Sequence, residues 1–518
     1  MAKSKSHAPL TTAQQLGSLI KTARDIMRKD KGLSSDLGRL PMLTWIMFLK
    51  FLDDMEQIEE SRAELRGEKY RTSVDKPYRW RDWAAKEDGI TGPELLAFIN
   101  QEEAVLPNGK KGAGLFTYLR GLRGGNGNGG RRQVIATVFS GVANNMISGY
   151  LLRDVINKVN GIHFLAKEEM FTLGHLYESM LKEMRDAAGQ NGEFYTPRAV
   201  VRFMVEVLDP RLGETVLDPA CGTGGFLVEA FSHLEKQCKR VQDRKMLQER
   251  SIFGGEAKPL PYLLCQMNLL LHGLEAPRID PENSLRFPLA QIGDRDRVDV
   301  VMTNPPFGGE EERGILGNFP DDKQTAETAL LFLQLIMRKL RRQPKPGRAG
   351  VVVPNGVLFG DGLCARIKEG LLKDFNLHTI VRLPNGVFSP YTAIPTNLMF
   401  FDRTGPTKHI WYYEQRLPDG KKNYTKTLPL QFEEFADCLE WWKQRKESAC
   451  AWRVSAEEIM KYDAEGRLVS VNLDIKNPNK SHDLEHVAPE ILIDSILTKE
   501  RKVLLLLEEM KAGLGVLE

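Results

Sequence analysis

One short stretch restricts this chain more than any other. Val216 and Leu217 run into Asp218-Pro219 and then into Ala220-Cys221-Gly222-Thr223-Gly224-Gly225, after which an apolar-periodic segment (FLVEAFSHL) starts at Phe226. That order is strand, glycine-rich turn, helix. Glycines let a backbone pass close to a ligand without Cβ clashes. The free N–H groups at a helix start can bind a polar ligand. The spacing is not G-x-G-x-x-G, and no GxxxxGK[ST] phosphate loop occurs, so dinucleotide and ATP sites are disfavoured.

Around this unit, short apolar runs alternate with helical segments. TVLDPA (215–220), SIFGGE (251–256), VDVVMTNPP (298–306), RAGVVVPNG (348–356), HTIVRLPNG (378–386) and NLMFFDR (397–403) have the character of strands ending in Pro, Gly, Asn or Asp. The alternation predicts an α/β fold with a mainly parallel sheet. In such sheets ligands sit at the carboxyl ends of the strands.

Glu256 closes the second of these runs, where an acid can grip a ribose diol. It lies farther from the glycine turn than the usual spacing of about twenty residues. The charged stretch between them (HLEKQCKRVQDRKMLQER) predicts a long helical crossover. Asp218 and Glu256-Ala257-Lys258 superficially resemble a metal-nuclease pattern. That chemistry needs clustered carboxylates around Mg²⁺, and Asp218 sits in a turn suited to a nucleoside, so no metal is expected.

The run 299–308 delivers Asn304, two prolines and Phe307 to a strand end. An exocyclic amine is a poor nucleophile because its lone pair is delocalised into the ring. The Asn304 side-chain oxygen and the Pro305 carbonyl can accept its two N–H bonds and draw the nitrogen toward sp³ geometry. Pro305 and Pro306 fix the direction of that carbonyl, and Phe307 can stack on a base taken out of a duplex. No general base is needed before attack, since the proton can leave after transfer. A strand-terminating turn is the plain alternative for Asn-Pro-Pro-Phe taken alone.

DPACGTGGF followed by NPPF resembles the amino-methylating DNA methyltransferases, and the segment Glu193-Phe194-Tyr195-Thr196-Pro197-Arg198 narrows the likeness. It is similar to the N6-adenine methylase (modification) subunits of type I restriction-modification systems, where such a segment closes over S-adenosylmethionine. The resemblance covers nearly the whole chain. It implies a Rossmann-like, S-adenosylmethionine-dependent methyltransferase domain. It further implies cofactor contacts from Glu193, Phe194, Tyr195, Thr196, Pro197, Arg198, Asp218, Gly222, Thr223, Gly224, Gly225 and Glu256, with Asn283 near the cofactor adenine. The implied partners are double-stranded DNA, a specificity subunit that reads the sequence and is bound by two copies of the chain, and a restriction subunit.

Three domains are expected: a helical one over 1–165, the catalytic one over 166–475 and a helical tail over 476–518. In the first, Leu16, Leu19, Ile20, Ala23, Ile26 and Met27 recur at helical spacing. Pro41 stands where a first helical turn tolerates proline. The apolar run Pro41–Leu52 is interrupted by Lys50 and too short to cross a bilayer. Gly124–Gly130, followed by Arg131 and Arg132, suits a solvated linker or a loop that closes on phosphates. In the tail, Ile491, Leu492, Ile496, Val503, Leu507 and Met510 form a stripe that suits the specificity subunit or the chain's own domain.

A net charge of +3 confines any nucleic-acid surface to a local patch. Six cysteines without a CxxC pair suit a reducing compartment. With no apolar signal segment, a cytoplasmic location is expected. Cytosine N4 methylation, protein-glutamine methylation, a stand-alone enzyme and an inactive assembly subunit stay open as alternatives. The phenylalanine of N-P-P-F and the large helical flanks weigh against the glutamine reaction. The absence of a Pro-Cys nucleophile weighs against cytosine C5 chemistry.

Overall fold

The computed structural model describes residues 13–33, 36–122, 129–164, 167–188, 196–309, 311–389, 392, 394–418, 420–421, 423–425 and 427–479, together with Leu497, Glu500, Arg501 and Leu504. The apolar periodicity of the first segment becomes helix α1 (Ala13–Met27), which buries Leu16, Ile20, Ala23 and Met27. Helices α2 (Asp36–Leu65), α3 (Gly129–Ser140), α4 (Gly149–Asn160) and α5 (Lys167–Ala188) follow, with a two-stranded hairpin at 103–105 and 111–113. Pro41 lies inside α2 and not in its first turn, because the helix already begins at Asp36. The missing N–H forfeits one helical hydrogen bond. The buried run that follows, Met42 to Leu49, outweighs that loss.

The second half is built on a nine-stranded sheet. Its strands are β1 (Val216–Asp218), β2 (Ile252–Gly255), β3 (Arg278–Asp280), β4 (Val300–Thr303), β5 (Arg348–Pro354), β6 (Asn376–Arg382), β7 (Thr396–Asp402), β8 (His409–Glu414) and β9 (Ala451–Ser455). The spatial order is β9-β8-β6-β7-β5-β4-β1-β2-β3. The pairs β1–β2, β2–β3, β1–β4, β4–β5 and β6–β8 are parallel. Strand β7 runs against both of its neighbours, and β9 against β8. The chain builds outward from β1 through β2 to β3, then returns to lay β4 on the other side of β1. This reversal opens a crevice at the carboxyl ends of β1 and β4, where a ligand can enter an α/β sheet.

Both faces of the sheet are covered, which is why its strands are apolar without alternation. Val300 and Met302 of β4 join the core shared with the helical half, whereas Val301 packs in a second core with Leu330, Leu333 and Ile336. The latter three lie on α9 (Thr328–Lys339). Of the intervening helices, α6 is Arg198–Leu208, α7 is Gly225–Glu235 and α8 is Pro259–Leu271. Helix α8 is buried from Pro261 to Leu271 because it is enclosed, packing on α2, α3, α5 and α7. The charged crossover is not one continuous helix: α7 ends at Glu235, and a separate helical piece begins at Val241.

Gly129 and Gly130 belong to α3. Arg131 pairs with Glu59 at 2.9 Å, and Arg132 with Asp75 at 3.3 Å. Both guanidinium groups are therefore engaged within the helical half. The rest of the glycine stretch (124–128) and the apolar stripe of the tail lie outside the described residues. No described helix is long and apolar enough to cross a membrane.

Candidate active site

A cleft open to solvent lies over the carboxyl ends of β1, β2 and β4. The turn after β1 forms its floor. The Cys221 N–H donates to the Gly255 carbonyl at 2.9 Å, and the Gly224 N–H to the Cys221 carbonyl at 2.8 Å. Gly224 adopts φ +81°, and a Cβ there would stand 2.8 Å from Cys265 Sγ on α8, so backbone freedom and lack of a side chain are both required. Sulfur Sγ of Cys221 lies 3.7 Å from that of Cys265.

Two acids line the cleft. Asp218 is 1% exposed and accepts the Ala220 N–H at 3.1 Å, which folds the turn back on the strand. Burial pushes its carboxyl up to about 7; the Glu256 charge adds to this, and the Thr303 hydroxyl and Ala220 N–H oppose it. Glu256 accepts the Gly222 N–H at 3.0 Å and the Lys258 N–H at 2.8 Å, one on each carboxylate oxygen. Burial raises its carboxyl also, against those two N–H groups. Each oxygen keeps a further lone pair, so the carboxylate still has acceptor capacity for a diol.

Asn304, at the end of β4, faces the same cleft. Its Nδ2 donates to Thr196 Oγ1 at 3.0 Å, while its Oδ1 is buried without a partner. Pro305 is buried and Pro306 lines the cleft. Phe307 meets Phe388 edge-on, with ring centroids 5.8 Å apart at 60°. The unpaired amide oxygen can accept an N–H from a planar amine; Phe307 itself is not among the residues lining the cleft.

The sequence-predicted residues are only partly gathered here. Thr196, Asp218, Gly222, Thr223, Gly225, Glu256, Asn304 and Pro306 line the cleft. Pro197 caps α6. Arg198 donates to the Gly225 carbonyl at 2.8 Å and pairs with Glu178 of α5. Asn283 is not among the lining residues: its amide donates to Glu311 at 3.1 Å and its oxygen accepts the Leu285 N–H at 2.9 Å. Glu193, Phe194 and Tyr195 lie outside the described residues.

Phe388, Cys265 and Asn268 were not foreseen. Asn268 donates to the Thr223 carbonyl at 2.9 Å and so buttresses the turn from α8. Phe388 carried a sequence signal, since Pro-Asn-Gly-Val follows both β5 (354–357) and β6 (384–387). A Cβ on Gly386, at φ +80°, would come 2.1 Å from the Tyr424 carbonyl, so this second turn tolerates only glycine.

The sheet order, the glycine turn after β1 and the acid after β2 define a Rossmann-like, S-adenosylmethionine-dependent methyltransferase fold. The same fold is found in a methyltransferase subunit of a type I restriction-modification system from Streptococcus thermophilus, at 20% identity and TM-score 0.58, over 86% of this chain and 97% of that one. Residues 168–484 match the N-6 DNA Methylase family model and residues 16–159 the HsdM N-terminal domain model. The chain is 46% identical to the type I restriction enzyme EcoEI methylase subunit of Escherichia coli, over 92% of its own length and 93% of that protein's. A solved modification subunit from Vibrio vulnificus YJ016 superposes with TM-score 0.83 at 68% identity, covering 93% of this chain and all of that one. The chain belongs to the N-6 DNA methylase family of type I restriction-modification methylase subunits, and is an adenine-specific DNA methyltransferase.

Proposed function

We propose that this chain binds S-adenosylmethionine in the cleft between β1, β2 and β4 and methylates N6 of an adenine turned out of duplex DNA. The observation that carries the reading is the Asn304 Oδ1, buried and unpaired in the wall of a cleft that also holds Glu256 and the glycine turn. A buried acceptor without a partner costs about 1–3 kcal/mol, and an incoming N–H relieves that cost. The fit to the cofactor rests on Glu256 as acceptor for a ribose diol and on the N–H-bearing turn from Gly222 to Gly225. When bound, the cofactor supplies an electrophilic methyl group.

The residues of this chain do the rest. Asn304 Oδ1 and the Pro305 carbonyl accept hydrogen bonds from the two amine N–H groups and raise the nucleophilicity of the nitrogen. Phe307, braced by Phe388, holds the base by its face. The segment Glu193 to Arg198 would contact the cofactor, with Thr196 at the cleft wall; Asn283, held by Glu311 and the Leu285 N–H away from the cleft lining, is not given a part in cofactor binding. The proton is lost to solvent after transfer, so no base has to be placed on the amine.

Sequence recognition falls to a specificity subunit, with two copies of this chain per complex and a restriction subunit alongside, all in the cytoplasm where the DNA lies. A chain related at 40% identity, with TM-score 0.77 over 97% of this chain and 98% of that one, comes from work on complex assembly and conformational transition in a type I R-M system. The C-terminal stripe, from Ile491 to Met510, is the segment proposed to meet the specificity subunit.

The test is methyl transfer from labelled S-adenosylmethionine to duplex DNA, by the chain alone and co-purified with its specificity subunit, followed by nucleoside analysis. N6-methyladenine formed by the complex, and little by the chain alone, is the expected result. Label on cytosine or on protein glutamine overturns the assignment. Full sequence-specific activity of the lone chain overturns the partner requirement.

A further inference from the structure

We infer that Thr196 is a positioning residue for methyl transfer: its hydroxyl accepts the Asn304 amide N–H at 3.0 Å and keeps the Asn304 oxygen turned toward the amine. The inference rests on the reading of Asn304 as the acceptor for that amine.

A carboxamide has two ends of similar shape and opposite hydrogen-bonding character. An amine offers two donors, so only the oxygen end of Asn304 is useful to it. With Oδ1 turned toward the amine, the Nδ2 group of Asn304 needs an acceptor of its own. Thr196 Oγ1 is the acceptor recorded for it among the described residues. Without that hydroxyl, the orientation that serves the reaction leaves a donor unpaired, and rotation of the amide competes with it.

The hydroxyl is well anchored. Thr196 precedes a proline, which restricts its backbone to extended conformations. Two residues on, Arg198 is tied to the Gly225 carbonyl at 2.8 Å. Thr196 and Asn304 are 108 residues apart in sequence, and the contact therefore joins the start of α6 to the end of β4. Thr196 thus serves the amine side of the site as well as the cofactor side to which its segment was assigned.

The experiment compares Thr196→Val, nearly isosteric but without the hydroxyl, and Thr196→Ser, which keeps it. Both are made in the full chain and co-purified with its specificity subunit. The rate of a single turnover on unmethylated host DNA is read at saturating S-adenosylmethionine, and cofactor affinity is measured separately by calorimetry. T196V is expected to slow the single turnover about 10-fold or more with the KM for DNA unchanged, and T196S to stay within about 3-fold of the unsubstituted complex. A T196V rate within twofold of the unsubstituted complex overturns the inference. So does a slowing removed by adding more cofactor, since that identifies a binding role only, and so does a T196S rate as low as that of T196V. Absence of methyl transfer by the unsubstituted complex overturns the reading of the reaction, and this inference with it.

Discussion

The Glu256 carboxylate and the Gly222 N–H stand 3.0 Å apart, tying the end of β2 to the turn after β1. The same carboxylate holds the Lys258 N–H at 2.8 Å. One side chain thus shapes the cleft floor and offers acceptors to a diol. Glu256→Ala should weaken S-adenosylmethionine binding about 10- to 100-fold, the size of a lost hydrogen bond to a charged group. Glu256→Gln, which keeps one acceptor, should fall between. Calorimetric titration of the full chain decides this, and an unchanged affinity in the alanine variant removes Glu256 from the cofactor site.

Asp218 gives a pH dependence whose sign follows from its surroundings. Burial raises its carboxyl from the ordinary 3.8 to about 7. Between those values the folded chain holds a proton that the unfolded chain releases, so stability falls as pH rises through that window. A shift of this size is worth about 4 kcal/mol at most. Asp218→Asn keeps an acceptor for the Ala220 N–H and abolishes the titration. The variant should be more stable than the native chain at pH 8, with the gap narrowing toward pH 5. Thermal unfolding across that range checks this, and a gap that does not change with pH contradicts it.

Asn304 and Phe307 should separate chemistry from binding. Asn304→Ala removes an acceptor that matters most as charge develops on the amine, so transfer should slow on the order of 100-fold or more. Cofactor affinity should be little changed, because Glu256 and the glycine turn remain. Phe307→Ala should weaken use of DNA by about 10-fold, the scale of one lost base–aromatic stack, with Phe307→Tyr largely restoring it. Rapid transfer by N304A would exclude the assigned acceptor role.

The residues that could be recognised in the sequence are those whose chemistry is local. Val216 to Gly225 form one strand, one turn and one helix start, so the pattern and the structure coincide. Long apolar strands were equally plain: β5, with Val351 to Val353 buried, could hardly be anything else. Strand β3 was not, because Arg278–Asp280 is three residues long with one apolar side chain, at the edge of the sheet. Strands β8 and β9 lie at or next to the other edge and were missed as well. Contacts across the fold left no trace in spacing. The Asn304–Thr196 bond spans 108 residues and the Cys221–Cys265 contact 44. Arg131 likewise pairs with Glu59, 72 positions upstream, a partner that no local pattern announces.

Lys50, which interrupts the longest apolar run of the helical half, is 5% exposed in α2. Its ammonium lies 2.5 Å from the Asp54 carboxylate, one helical turn on, and Asp54 also accepts the Phe164 N–H at 3.2 Å. Such a pair adds little net stability over apolar residues of similar volume, but losing one partner strands a buried charge. Asp54→Ala should therefore destabilise the helical half by about 3–5 kcal/mol. Adding Lys50→Met to that variant should recover part of the loss, because no uncompensated ammonium remains; the Phe164 N–H, still unpaired, keeps the recovery incomplete. Urea denaturation followed by tryptophan fluorescence measures both. If the double variant is less stable than Asp54→Ala alone, Lys50 stabilises α2 by contacts other than its pairing with Asp54.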